Sequence, residues 1–197
     1  MLQIRVNGQS SPYKAGSLPK ITDVIELIKG SIDPAHIITG LRINGRDLTE
    51  GEWQSSPTQF CETDILEVDT GTTEQFLSER LAVTPNLLEN IYILFRSCRQ
   101  SFQAGSMEEG NRIMVTGVND LKAFFEWYCM LLRMVPAESK GKYDIKPQLD
   151  ELTTICRDIC QQQLYQSWWA LATTIQERLE PALDKLESHF RRNVCTQ

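Results

Sequence analysis

Leu41-Arg42-Ile43-Asn44-Gly45-Arg46-Asp47-Leu48-Thr49-Glu50-Gly51 is the stretch whose reading decides the fold. The apolar, β-branched run over 37–43 has the composition of a strand. Asn44-Gly45 supplies two residues that tolerate the positive φ of a tight hairpin turn, and 46–48 reads as a short returning strand. Upstream, Ile21, Val24, Ile25 and Ile28 recur at helical spacing, with Gly30 as a stop. At the start of the chain Leu2, Ile4 and Val6 alternate with polar neighbours, the period of a half-buried strand. A second Asn-Gly pair, Asn7-Gly8, predicts another hairpin whose returning strand lies over 11–15. Downstream, 65–68 reads as the last strand. A hairpin, then a helix, then more strands is an α+β roll in which one helix crosses one face of a sheet.

With that strand order, the segment 41–51 resembles the third strand, glycine turn and acidic loop of the ubiquitin-like β-grasp family. The resemblance covers 1–71 and implies a small β-grasp domain. Conjugated members of that family, and the sulfur carriers similar to them, end in a free Gly-Gly tail that is activated at its carboxylate. Here Asp69-Thr70-Gly71-Thr72-Thr73 follows and the chain continues, so modifier or carrier chemistry is not expected. Arg42 and Asp69 stand where the family carries its exposed aliphatic patch, so surfaces that read that patch would not read this one.

From Thr72 the hydrophobic period changes from two to about 3.6. The spacing predicts a short helix over 74–82, then a helix opened by Thr84 as N-cap and Pro85 at its first position. Leu87, Ile91, Phe95, Cys98 and Phe102 form its apolar face, and Gly105 ends it. A longer helix from about Ser106 carries Met114, Gly117, Leu121, Phe124, Tyr128, Leu131 and Val135 at three- and four-residue steps, the seam of a bundle helix. Phe125 and Leu132 widen that seam, which predicts a central position. Residues 136–142 read as a polar loop, and Pro147 fits the first turn of the next helix. Leu149, Leu152, Cys156 and Ile159 begin a further seam that resumes at Leu164, Trp168, Leu171, Ile175, Leu179, Leu183, Leu186 and Phe190. One helix over that whole length would exceed about 60 Å at about 1.5 Å per residue. A break is therefore expected near Gln161-Gln162-Gln163 or at Pro181, and residues 72–197 are read as an antiparallel bundle of four or five helices. In helix order and spacing 84–192 is similar to the bacterial flagellin export chaperones, most closely at 102–111, Phe102-Gln103-Ala104-Gly105-Ser106-Met107-Glu108-Glu109-Gly110-Asn111. That resemblance implies a cytoplasmic bacterial protein of the flagellar system that holds the amphipathic end of an export substrate. A β-grasp head is a departure from that family's pattern.

Composition narrows the function classes. Hydrophobic residues at 41% and charged residues at 23% are ordinary for a globular chain. The net charge of −6 supplies no basic stripe for a phosphate backbone, so nucleic acid is not an expected partner. The longest apolar runs fall short of the roughly 20 residues a membrane span needs, and Met1-Leu2-Gln3-Ile4-Arg5 builds no signal-peptide core. A cytoplasmic location, with free thiols as the default, is the expectation.

Candidate sites are few. Cys156 and Cys160, four apart on one helix, have a spacing that can present two thiolates to one metal. Two further ligands are lacking at suitable spacing, since His36 and His189 lie far off and Cys195 sits in the tail. Packing is the preferred reading, and no metal or cofactor is expected. There is no Gly-rich phosphate loop, nucleophile elbow or metal-binding His pair, so no catalytic residues are assigned. Adjacent residues of a helix point about 100° apart, so Trp168 and Trp169 do not share one seam. Trp168 fits the core series. Trp169, with Tyr165 four residues earlier on the same face, lies at the seam edge or meets a partner. Phe124 and Phe125 likewise offer more amphipathic surface than one seam consumes. The reading is a non-enzymatic adaptor or export-chaperone-like protein that holds an amphipathic segment of a partner protein, with Trp169, Tyr165, Trp168, Phe124 and Phe125 as binding residues. The first alternative is a self-associating scaffold, a homodimer. The second is an enzyme with a site between head and bundle.

Overall fold

The computed structural model describes residues 2–13 and 18–194, in an α+β arrangement. Contacts gather into two compact units, Met1–Phe76 and Leu77–Gln197, where the sequence reading divides the chain at 71/72.

The first unit is a five-stranded mixed sheet. β1 (Gln3–Val6) and β2 (Gln9–Ser10) pair antiparallel across Asn7-Gly8, whose φ values of 48° and 76° are those of a tight hairpin turn. The second strand is therefore shorter and earlier than the expected 11–15. Residues 11–13 are not strand, and 14 and 15 lie outside the described residues. β3 (His36–Ile43) turns at Asn44-Gly45, with φ 50° and 78°, into β4 (Arg46–Asp47). β5 (Ile65–Thr72) lies between β1, to which it is parallel, and β3, to which it is antiparallel, giving the order β2-β1-β5-β3-β4. The helix α1 (Ile21–Lys29) buries Ile21, Val24, Ile25 and Ile28 with Leu2, Ile4, Ile43, Leu66 and Val68. Gly30 keeps an ordinary helical φ of −69°, so the stop there needs no glycine freedom. A short helix, α2 (Glu50–Trp53), closes the loop after β4.

The second unit is helical and begins within α3 (Thr73–Leu81). α4 (Thr84–Gln103) and α5 (Met107–Leu132) form a close hairpin. Its tightest points are glycines: a Cβ at Gly110 would lie 2.7 Å from the Phe102 ring, and one at Gly117 3.3 Å from Phe95. The turn between them is a Schellman cap. Gly105 sits at φ 79°, its N–H donates to the Phe102 carbonyl at 3.1 Å, and the Ser106 N–H donates to the Ser101 carbonyl at 2.9 Å.

Several expectations change here. Thr84 does not cap α4. It lies inside the helix, preceded by Val83 in helical conformation, and its buried hydroxyl has no hydrogen-bond partner. The buried face of α4 runs through Leu88, and Leu87 is turned outward. α4, not α5, occupies the centre, since it packs against α5 and also against the two helices at the C-terminal end. Residues 137–143 are not an irregular loop but a 3₁₀ run, Ala137–Tyr143, held where the Tyr128 hydroxyl donates to the Tyr143 carbonyl at 2.6 Å.

α6 (Lys146–Leu164) carries Pro147 in its first turn and buries Leu152, Ile155 and Ile159. Cys156 is only half-buried, and Leu149 and Leu164 are exposed. The chain breaks at Tyr165-Gln166-Ser167, just past the three glutamines. α7 (Trp168–Thr174) passes through a π-helical turn, Ile175–Leu179, into α8 (Glu180–Val194). In that turn the Glu180 N–H reaches back five residues to the Ile175 carbonyl. This wider winding precedes Pro181, which lacks an N–H to donate, so the helix passes the proline without breaking. The face Leu171, Ile175, Leu179, Leu183, Leu186 and Phe190 is buried as the spacing predicts.

Candidate protein-binding surfaces

Two apolar features of the helical unit face outward. The first is a groove between α4 and α5 of about 320 Å³. Leu87 and Asn90 come from α4, Asp120, Ala123 and Trp127 from α5, and buried Ile91 and Phe124 form the floor. Asp120, Ala123 and Trp127 follow three- and four-residue steps, so they share one side of α5, and exposed Met130 extends it. Val83, exposed just before α4, extends the other wall. Helix α5 thus carries a second apolar stripe beside its core seam. Those same steps in the sequence were the available signal, masked by the stronger seam next to them.

The second feature is the α6–α7 turn. Trp169 is 81% exposed, Leu164 78% and Tyr165 69%. Tyr165 and Trp169 do not share a helix face, because the helix ends between them and the four-residue spacing no longer applies. Trp168 turns inward and stacks on Phe102, with ring centres 5.4 Å apart and planes 13° apart. Phe124 is core: its ring meets Phe125, Tyr128 and Phe190 at 5.2, 6.2 and 6.2 Å. Phe125 is half-buried beside it. The five residues singled out from the sequence therefore do not form one patch. Phe124 contributes the floor of the groove, and Trp169 and Tyr165 form the turn.

The sheet unit presents a different surface. The Arg42 guanidinium donates to Asp69 Oδ2 at 2.6 Å and lies 3.9 Å from Glu67, and Arg5 stands in register with Glu67 on β1. Arg46 grips Glu52 through both terminal guanidinium nitrogens, and Thr49 donates to the same carboxylate from its N–H and its hydroxyl, each at 2.8 Å. The Arg46 hydrogen bonds first, then those from Thr49, lower the Glu52 pKa from 4.5 to about 2.

The titratable groups of the helical unit point to packing. Burial pushes the Cys98 thiol up to about 12, where it donates to the Gly110 carbonyl at 3.3 Å. Burial, and then Cys160, raises Cys156. His189 packs edge-on against Phe190 at 5.9 Å, and burial followed by Arg192 lowers it. Among the described residues no three His, Cys, Asp or Glu side chains are grouped to hold a metal ion, and no helix is long and apolar enough to cross a membrane. No protein-family model matches the chain, and neither does any curated protein or solved structure.

Proposed function

We propose that this protein is a non-enzymatic adaptor of export-chaperone type, in which an antiparallel helical bundle holds an amphipathic segment of a partner protein and a ubiquitin-like β-grasp head accompanies it. The α4–α5 groove carries the reading. Its floor of Ile91 and Phe124 is apolar, and Leu87 on one wall and Ala123 and Trp127 on the other add apolar surface, a form that suits the apolar face of a helix with anchors three and four residues apart. Trp127 supplies a broad, stiff contact and Met130 an adaptable one. Asn90 and Asp120 are the polar groups at hand to fix the register of a bound segment. The parallel β1–β5 pair at the middle of the sheet, with α1 packed on one face, supports the β-grasp assignment of the head. The flagellin-chaperone resemblance supports an export substrate as the partner, since its best-matching stretch is the turn joining the two groove helices.

Leu87→Asp tests the reading. Leu87 is 39% exposed and lies in the first turn of α4, where a carboxylate is favoured, so the change should cost about 1 kcal/mol and leave the fold intact. A partner retained from native extract by the immobilised wild-type chain should be lost from the variant by ~10-fold or more, as for a central interface anchor. Equal retention of that partner by both proteins would remove the groove as the binding site.

A further inference from the structure

We infer that the α6–α7 turn is a self-association site, through which two copies of this chain meet about a twofold axis. The first observation is electrostatic. Ile159 to Gln176 is a run of 18 residues without a charge, in a chain that is 23% charged and carries a net −6. About four charges would be ordinary over that length. Two copies of an acidic protein repel one another, and the residues of this turn add no charge to that repulsion.

The second observation is the chemistry left in place of charge. On a twofold axis each group faces its own kind. A carboxylate or a guanidinium is penalised there. An amide can both donate and accept, and an aromatic ring can stack on its own copy. Gln161, Gln166, Tyr165 and Trp169 are all of this self-compatible type and all exposed. A surface built for a foreign partner ordinarily draws on charge for steering and discrimination, and residues 159–176 supply none.

The third observation is that the turn is held rigid. Gln166 lies at φ 55°, an arrangement that a non-glycine residue adopts at a cost. Its N–H donates to the Gln163 carbonyl at 3.0 Å, and the Ser167 N–H donates to the Gln162 carbonyl at 2.8 Å. Trp168, anchored on Phe102, pins the start of α7. Tyr165 and Trp169 are thus presented on a preset frame, which lowers the ordering cost of association.

The size of the contact sets its strength. The two exposed rings offer on the order of 300 Å² per copy. With Leu164 and the amides the pair reaches on the order of 1,000 Å², at the low end for a specific interface. The dimer is therefore weak and concentration-dependent.

Size-exclusion chromatography with light scattering on the full chain, from about 5 μM to about 500 μM, tests this across the expected affinity range. The wild type should pass from monomer to dimer. Trp169→Asp should shift that transition upward by at least ~10-fold. Trp169 is in the first turn of α7, where a carboxylate is favoured, so this variant keeps its helical circular dichroism. Leu87→Asp, in the separate groove, should dimerise as the wild type does. A wild-type monomer throughout the range overturns the inference, and so does a dimer that Trp169→Asp leaves unchanged. Neither result bears on partner binding in the groove.

Discussion

Both units turn paired charged side chains outward, but the helical unit also turns large apolar ones outward. Among the described residues, Leu27 is the large exposed apolar residue of the sheet unit, whereas Val83, Leu87, Ile93, Val115, Val118, Met130, Leu164, Tyr165 and Trp169 all belong to the helical unit. Scattered exposed apolar residues are normal, but a groove with an apolar floor and three large side chains on one turn are not scattered. On the sheet, Arg42 with Asp69 and Arg46 with Glu52 neutralise each other, leaving a self-contained polar face. The difference teaches where to look for binding: the large apolar side chains left exposed lie almost all on the helical unit.

That contrast can be broken from the core outward. Phe190 is fully buried, edge-on to Tyr128 at 5.2 Å and to Phe124 at 6.2 Å. Phe190→Ala should destabilise the helical unit by about 3–5 kcal/mol, measured by denaturant unfolding followed by helical circular dichroism. Removing it would loosen the floor of the groove as well. Gly110→Ala should cost about 1–3 kcal/mol, because the new methyl meets the Phe102 ring, itself stacked on Trp168. Thr84→Val, nearly the same shape, should stabilise by about 1 kcal/mol, since it removes a buried hydroxyl that has no partner.

The two helical turns sharpen the comparison within the unit. They share one backbone form: Ser106 at φ −89°, ψ 70° and Ser167 at φ −85°, ψ 64° each follow a positive-φ residue. One has Gly105 in that place and the other Gln166. Gly105→Ala should therefore cost about 1 kcal/mol, and Gln166→Gly should gain up to about that amount, both read from thermal midpoints.

The smallest expected effect lies on the sheet. Glu52 is held near pKa 2 against 4.5 when free, so its contribution is present above pH 4.5 and is lost as pH falls through 2. Glu52→Gln should flatten the acid limb of the stability profile over that window by lowering stability above pH 4.5 and leaving it unchanged below pH 2. The pair is exposed, so added salt should shrink the wild-type effect.

How much of this was legible in the sequence depends on how local the cause was. Asn7-Gly8 and Asn44-Gly45 announced their turns because positive φ is a property of those residues. The α5 seam was legible from Met114 to Leu131, all of it buried, and the expected next position, Val135, is buried just past the end of the helix. Leu87 and Leu88 are adjacent and identical, and only the pairing of α4 with α5 decides which one is inside. Gln166 has no local preference for its conformation; packing of Trp168 and two backbone hydrogen bonds impose it. The 3₁₀ run depends on Tyr128, which lies on another helix, and no pattern within 137–143 could show that. Of the site, single residues were legible, notably Trp169, but their grouping was not. Phe124 belongs with Leu87 and Trp127 in the groove, and Tyr165 belongs with Trp169 at the turn.

Amide hydrogen exchange on the full chain, with and without a partner segment captured in cells, addresses the groove most directly. Protection should rise in α4 from Val83 to Leu94 and in α5 from Thr116 to Met130, with the sheet unit unchanged. Protection confined to the sheet, or unaltered in both groove helices, would contradict the assignment of binding to this face.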